Sequence, residues 1–449
     1  MAVISLPRVI FRFRQRWLLV ALLFVFLAVS MQYTIKAVGG NRSAVIRWQE
    51  ALRKLKDGED IYSKYVHPNS PTMAVLLLPF AYLPPLVAGL GWFYSKVILT
   101  LLTMHWVFRL VESPGRPFPD WAKGLAAFLS LGPIIGDLSH GNVNLFILFL
   151  IVAALFTLHT GRALWAGVIL ALAITCKVTP ALFVPYFLWK RQWKMLAGCA
   201  AGMPLFLFVL PGLVLGMGEN AERVGSWANQ MLRPFVVEGK VFYSEHNNQS
   251  LPGVASRLLT QSPSFSTYRE NVYVPLAYHN LLSLPPGVVP WLRNILAAGF
   301  VVVVIWACRT PARSSQNWRL AAEYSLIVLG MLFFSERTWK HHCVTLLLPF
   351  AVLVYCLAAS SSRAPPRWYL VATLSAAALL IASTSTGIWS PLDRVGELAQ
   401  VYGAYVWAYV VLAAAVVVLL RRRDPSFASS ASSSPLAVAN DPVVLYKRA

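Results

Sequence analysis

AAEYSLIVLGMLFF-SERTWKHH-CVTLLLPFAVLVYCLAA, residues 321–359, is the stretch whose reading decides the fold class. Two long apolar runs flank eight polar or aromatic residues that carry Glu336, Arg337, Lys340, His341 and His342. A hydrocarbon layer tolerates almost none of these side chains, so the gap marks a membrane boundary between two helical spans. Outside this stretch the pattern repeats, with apolar runs near 20 residues recurring from Trp17 to Leu420. Of the 449 residues, 57% are hydrophobic and 13% charged, with a mean hydropathy of +0.59. A soluble chain carries roughly a quarter charged residues. The expected class is an all-α polytopic membrane protein. The net charge of +21 does not point to nucleic acid, because the basic residues mostly flank the apolar runs, as the positive-inside rule requires. Five cysteines lie in or beside apolar segments without paired metal spacing, which gives neither a disulfide framework nor a zinc site.

Arg8, Arg12, Arg14 and Arg16 precede the first run and predict a cytoplasmic N-terminus. That run lacks a small-residue cleavage site and reads as a retained helix over about 17–36. Val45, Trp48, Leu52 and Leu55 recur at helical spacing, predicting an amphipathic helix on the outer membrane surface. PTMAVLLLPFAYLPP is apolar but short and bounded by proline, so it reads as re-entrant or interfacial. Basic turns then alternate with turns such as GDLSHGN, CKVTP and SERTWKHH, giving about twelve transmembrane helices with both termini inside. The pieces around 164–176 and 180–189 are short for full crossings. The resulting plan is a basic cytoplasmic N-terminus over 1–16, a membrane domain over 17–423 with outer loops at about 37–85 and 217–285, and a Ser/Ala-rich disordered cytoplasmic tail over 424–449.

The polar clusters gather at helix ends on the non-cytoplasmic side. A transporter would instead place ionisable residues near the midplane of several helices, so the pattern favours a reaction at the outer membrane surface. DGEDIY supplies Asp57 and Asp60. Asp60 is the preferred general base, because Ile61 and Tyr62 anchor it at the interface; a turn and a helix cap account for the same residues without chemistry. SHGNVN places His140, Asn142 and Asn144 before an apolar helix, with Asn142 as its N-cap and the helix start open to a phosphate or sugar hydroxyl. Lys177, between LAITC and VTP, faces either a lipid phosphate or the interface. Glu245, His246, Asn247, Asn248 and Gln249 form a run of hydrogen-bonding side chains suited to a polyhydroxyl substrate, or merely solvated. Arg337, Lys340, His341 and His342 suit a phosphate leaving group. Trp339 offers a ring face to sugar or lipid. Adjacent histidines on a regular helix cannot both face one cavity, so one of the two is expected to be structural.

A first outer loop ending G-x-D-x-Y, then PxxPxxxxLLLPFAYLPP, GNVNL, KVTP and a histidine before a late LLLPF resembles glycosyltransferase family 87, over roughly residues 40–355. The resemblance implies a bacterial inner-membrane enzyme of GT-C architecture with a periplasmic active-site face. It also implies a polyprenyl-phosphate sugar donor, with mannose the expected hexose, and a lipid or glycan acceptor. Transfer would be inverting, with no metal and no cofactor. Family members carry an earlier Asp soon after the first helix; this sequence has Asn41, Arg42 and Ser43 there and no carboxylate before Glu50. On this reading Asp60, His341 and His342 are catalytic, and Lys177, Arg337 and Lys340 hold the donor phosphate. Asp57, His140, Asn142, Asn144, Glu245, His246, Asn248 and Gln249 bind substrate. A lipid-linked sugar flippase and a non-catalytic envelope-assembly scaffold are the competing classes; they predict repeat symmetry with midplane charges, and a silent site, respectively.

Overall fold

The computed structural model describes residues 20–21, 23–35, 43–65, 67–241, 243–269, 272–310, 317–359, 365–386 and 390–422. The arginines expected inside at the N-terminus and the tail over 424–449 lie outside the described residues. What is described is a helical bundle with one short hairpin. Five helices are long and apolar enough to cross a bilayer: Pro85–Val111, Trp193–Leu215, Val288–Ala307, Lys340–Ala359 and Ala404–Arg421. Shorter apolar helices at Leu23–Ile35, Pro71–Ala81, Asn144–His159, Ala163–Cys176 and Arg367–Ala382 fill in around them. The protein is a multi-pass membrane protein.

The polar run 335–342 leads into the most buried of the five, Lys340–Ala359, which sits at the centre of the bundle. It starts as a 3-10 turn over Lys340–Leu346 and continues as an α-helix over Leu347–Ala359. Every residue from Leu347 to Cys356 is buried, because neighbouring helices surround it on all sides. Val288–Ala307 is the opposite case, with only Val289 and Ala307 of its 20 residues buried, and it shows Trp291, Val302 and Ile305 outward. Such a surface is stable against lipid tails and unstable against water.

Helix Ala163–Cys176 packs closely on Trp193–Pro204 through glycine. A Cβ at Gly167 would run into the Met195 carbonyl, and one at Gly198 into the Leu164 carbonyl. Small residues that let backbones touch are how helices associate where the hydrophobic effect between them is absent. The expected short pieces are therefore real. Ala163–Cys176 ends at Lys177, a 3-10 turn follows over Thr179–Leu182, and a new helix runs Phe183–Trp189. Pro180 has no N–H for the Cys176 carbonyl four residues back and its ring crowds that carbonyl, so the α-helix cannot run on through it.

The amphipathic helix is present as Ala44–Lys56, with Val45, Leu52 and Leu55 buried against Pro71–Ala81. At 11 residues, Pro71–Ala81 spans only about 16 Å and is too short to cross. One element departs from the all-α expectation. Phe265–Arg269 and Val272–Ala277 form an antiparallel hairpin inside the segment expected to be a long loop. Arg257 ties that segment down, donating to the carbonyls of Val401, Gln400, Asn248, Glu245 and Ser244 at 2.6 to 3.3 Å.

Candidate active site

Three chain breaks bring the polar groups together at one end of the bundle. The first is the turn between helices Leu131–His140 and Asn144–His159. Gly141 closes it at φ 64°, and its carbonyl accepts from the Trp92 indole at 3.0 Å. The second is the break at Lys177, whose extended backbone turns the side chain away from its own helix axis. The third is the 3-10 turn at Lys340–Leu346, which packs on Leu131–His140 and near the start of Asn144–His159.

Their side chains form one connected network. Lys177 Nζ donates to Asn144 Oδ1 at 2.6 Å, and Asn144 Nδ2 donates to Asp137 Oδ1 at 2.9 Å. Asp137 also accepts from the Leu145 backbone N–H at 3.3 Å and from Lys96 Nζ at 3.1 Å. Asn142 Oδ1 accepts from its neighbour's N–H, of Val143, at 2.7 Å, so its amide nitrogen faces His341 Nε2 at 3.1 Å. That contact assigns the tautomer: His341 accepts at Nε2 and carries its proton on Nδ1. His140 stacks on the His341 ring with centroids 4.9 Å apart. The His342 ring stands nearly perpendicular to His341, and its Nδ1 lies 3.1 Å from the Arg337 carbonyl. His342 then lines a cavity of about 30 Å³ with Lys177, Asn144, Thr179, Ser335, Thr338 and Thr345. The two histidines thus serve different neighbours, as expected for adjacent residues, on a 3-10 turn in place of a regular helix. A larger cavity, about 330 Å³, lies at the other end among Leu158, Tyr186, Lys190, Gln192 and Tyr324. His140, His341, His342, Lys177, Asn142 and Asn144 do not line it.

The remaining candidates lie outside this hydrogen-bond network. Asp60 caps the short helix Ile61–Tyr65: Oδ1 accepts from the Tyr62 N–H at 3.0 Å, and Oδ2 from Ser63 and Ser226 hydroxyls at 2.9 and 2.6 Å. Burial acts to raise its carboxyl, but the hydrogen bonds from Ser226, Tyr62 and Ser63 outweigh burial and hold it below the ordinary carboxylate value. Asp57 is exposed at the end of helix Ala44–Lys56. Glu245 Oε1 accepts from the Ser266 and Tyr273 hydroxyls of the hairpin. His246 stacks on Phe265 at 4.3 Å, and burial pushes its imidazole down from the ordinary value.

Asn248 and Gln249 are buried and committed to main chain. Asn248 donates to the Tyr243 and Glu336 carbonyls and accepts from the Thr338 and Ser250 N–H groups. Gln249 donates to the carbonyls of His246 and Gln400 and accepts from the Tyr405 N–H. Both side chains tie this segment to residues 336–338 and 400–405, which leaves them little capacity for a ligand. Arg337 lies over the Tyr243 ring at 4.3 Å, beside Trp339, and Lys340 donates to the Thr384 carbonyl. Asn142 is not the N-cap expected; Val143 holds that position, and Asp137 serves the first-turn N–H of Leu145.

Lys96 and Asp137 were not singled out in the sequence as site residues. The signal for Lys96 was a lone charge inside LGWFYSKVILTLL, which a membrane helix does not carry without a partner. Asp137 gave no comparable signal, because it sits in GDLSHGN, which reads as a turn.

Fold and site together define a multi-pass membrane protein that gathers cations, imidazoles and amides at one end of its central helices. The sequence profile of glycosyltransferase family 87 matches residues 67–336. The chain is 25% identical over 370 residues to the polyprenol-phosphate-mannose-dependent alpha-(1-2)-phosphatidylinositol mannoside mannosyltransferase of Mycolicibacterium smegmatis, covering 76% of this chain and 73% of that enzyme. It is 25% identical over 416 residues to the Mycobacterium tuberculosis protein of the same name, covering 85% and 84%. A fungal relative, GPI mannosyltransferase 1 of Neurospora crassa, is 22% identical over 197 residues, covering 34% and 40%. The chain belongs to glycosyltransferase family 87, and it is a membrane glycosyltransferase.

Proposed function

We propose that the chain transfers a mannosyl residue from a polyprenyl-phosphate donor to a lipid or glycan acceptor, with inversion, at the periplasmic face of a bacterial inner membrane. The observation that carries this reading is Lys177. Its ammonium is partly buried, its hydrogen-bond partner among the described residues is the neutral Asn144 amide, and it lines a cavity with His342. A cation so placed suits a phosphate. The family and the two mycobacterial relatives, named as polyprenol-phosphate-mannose-dependent, supply the donor class.

In the proposed step an acceptor hydroxyl attacks the anomeric carbon and loses its proton to Asp60, whose Oδ1 keeps acceptor capacity. The bond from carbon to phosphate oxygen breaks, and the oxygen keeps the electron pair. Lys177 meets the charge that grows on the departing polyprenyl phosphate, with His342 beside it and Arg337 and Lys340 on the same polar run as His342. Polyprenyl phosphate is a competent leaving group without a divalent ion. His341, held by Asn142 and stacked on His140, fixes the ring against which His342 stands. Asp57, Glu245 and His246 are proposed to meet the sugar or the acceptor. The orientation that fits is about twelve spans in a GT-C arrangement over 17–423, with both termini cytoplasmic. Arg116, Arg162, Arg191, Arg309 and Arg421 lie on turns or helix ends away from the histidines, as the positive-inside rule favours.

The test is incubation of purified protein with labelled polyprenyl-phosphate-mannose and bacterial membrane lipid extract. Label transferred to an extractable glycolipid is the expected result. Label moved across vesicle bilayers without transfer would establish the flippase class instead.

A further inference from the structure

The buried pair Lys96–Asp137 takes no direct part in the proposed transfer step. Both side chains are fully buried, and Lys96 Nζ reaches the Asp137 backbone carbonyl at 2.6 Å as well as Oδ2 at 3.1 Å. Removing an ion pair from water costs several kcal/mol per ion, and apolar residues of similar volume often do as well or better. Packing alone is therefore a weak reason for the pair to be there.

Its neighbours suggest another. Asp137 Oδ1 can only accept, so it fixes the Asn144 amide with nitrogen toward itself and oxygen toward Lys177. The flipped amide would set oxygen against carboxylate and NH₂ against ammonium. Asn144 Oδ1 in turn sets the position of Lys177. Charge matters as much as orientation. Asp137 alone, close to Lys177, would act as its counter-ion and weaken its hold on an anion. Lys96 neutralises Asp137, so the chain Lys96–Asp137–Asn144–Lys177 carries one net positive charge. That charge sits at the end that meets the cavity. The charged groups bearing on His341 include Lys177, Lys96 and Arg47, so the surroundings are basic.

We propose that Asp137 and Lys96 are positioning residues for donor binding: Asp137 aims Lys177 through Asn144, and Lys96 keeps Asp137 from quenching it. This rests on the reading that Lys177 meets the donor phosphate.

The test titrates a polyprenyl monophosphate against wild type, Lys177→Met, Lys96→Met and Lys96→Met/Asp137→Asn in detergent, following intrinsic tryptophan fluorescence. Thermal unfolding is measured for each protein, and acceptor KM is measured separately. Lys96→Met is expected to weaken polyprenyl monophosphate binding about tenfold with acceptor KM unchanged, because it leaves Asp137 to pair with Lys177. The double variant removes both charges, restores the balance at Lys177, and is expected to bind within about threefold of wild type. A merely structural pair would show its loss and recovery in thermal unfolding, whereas the loss of binding expected here persists at temperatures where the Lys96→Met protein is fully folded. Lys96→Met binding as wild type does, or a folded double variant as weak as Lys177→Met, would overturn the proposal. Should Lys96→Met fail to fold, the double variant decides alone. If Lys177→Met itself binds as wild type does, the parent reading of the site fails; if only Lys177→Met is weak, this inference alone fails.

Discussion

Replacing Lys177 with Met removes the ammonium while keeping an unbranched side chain of similar length. The ammonium has three donors, and one goes to Asn144 Oδ1, which leaves two for a phosphate in the cavity. A hydrogen bond between charged partners contributes about 1.5 to 3 kcal/mol, and removing one preorganised donor to a developing oxyanion costs about 100- to 1000-fold in turnover. Donor kcat/KM is therefore expected to fall about 100- to 1000-fold. The structural penalty is smaller, because Asn144 Oδ1 is left without its donor at a cost of about 1 to 3 kcal/mol. The assay measures initial rates against donor concentration at saturating acceptor, with thermal unfolding in detergent as the control for folding. Lys177→Arg should not restore the rate, since a planar guanidinium does not reproduce the compact ammonium that reaches Asn144 Oδ1 with two donors to spare. A folded Lys177→Met protein with donor kcat/KM within threefold of wild type would refute the reasoning.

Asp60→Asn should abolish transfer with donor binding unchanged; full activity there together with a dead Asp57→Asn or Glu245→Gln would move the base to the latter residue. Because its carboxyl is held below the ordinary value, Asp60 remains ionised at neutral pH, and its contribution should fade only as pH falls through that lowered value. Arg257→Met leaves five carbonyl contacts without their donor and should destabilise the protein by about 3 kcal/mol, read as earlier unfolding and faster proteolysis between residues 244 and 285. His67 is buried beside Trp48 and Tyr62, and burial pushes its imidazole down to about 4. The unfolded chain binds that proton near 6.5 and the folded one does not, so stability should drop by on the order of 3 kcal/mol between pH 6.5 and 4, and His67→Gln should flatten that slope. A cysteine placed at Asn247 should react with an impermeant maleimide from the periplasmic side of spheroplasts; reaction only after permeabilisation would invert the proposed topology.

The sequence disclosed the membrane class because hydropathy is local and additive: Leu347–Ala359 reads as a span with no knowledge of its neighbours. It also located the breaks, since Pro180 and the polar run 335–342 act on their own backbone. GNVN, KVTP and the paired histidines were visible as polar residues at helix ends, and the fold brings these three segments to one place. What it concealed were partnerships between distant segments. Asn248 and Gln249 look like a sugar-binding run until residues 336–338 and 400–405 close on them. Nothing local to Lys340 shows that its ammonium also reaches the Thr384 carbonyl, 44 residues further along the chain. The link from Lys96 to Asp137 also needs two helices in register. The hairpin at 265–277 escaped because its short strands lie in a stretch that reads as polar loop.

The glycine contact between Ala163–Cys176 and Trp193–Pro204 has a mechanical consequence. With backbone lying on backbone at Gly167 and Gly198, no side chain stands between the two helices to compress or swing aside. They behave as one stiff plate, and Lys177 is mounted on its rim. A bulky lipid-linked substrate cannot part them, so any widening of the site has to be taken up on another wall. Val288–Ala307, the most lightly buried of the long helices, gives up the least packing if it moves.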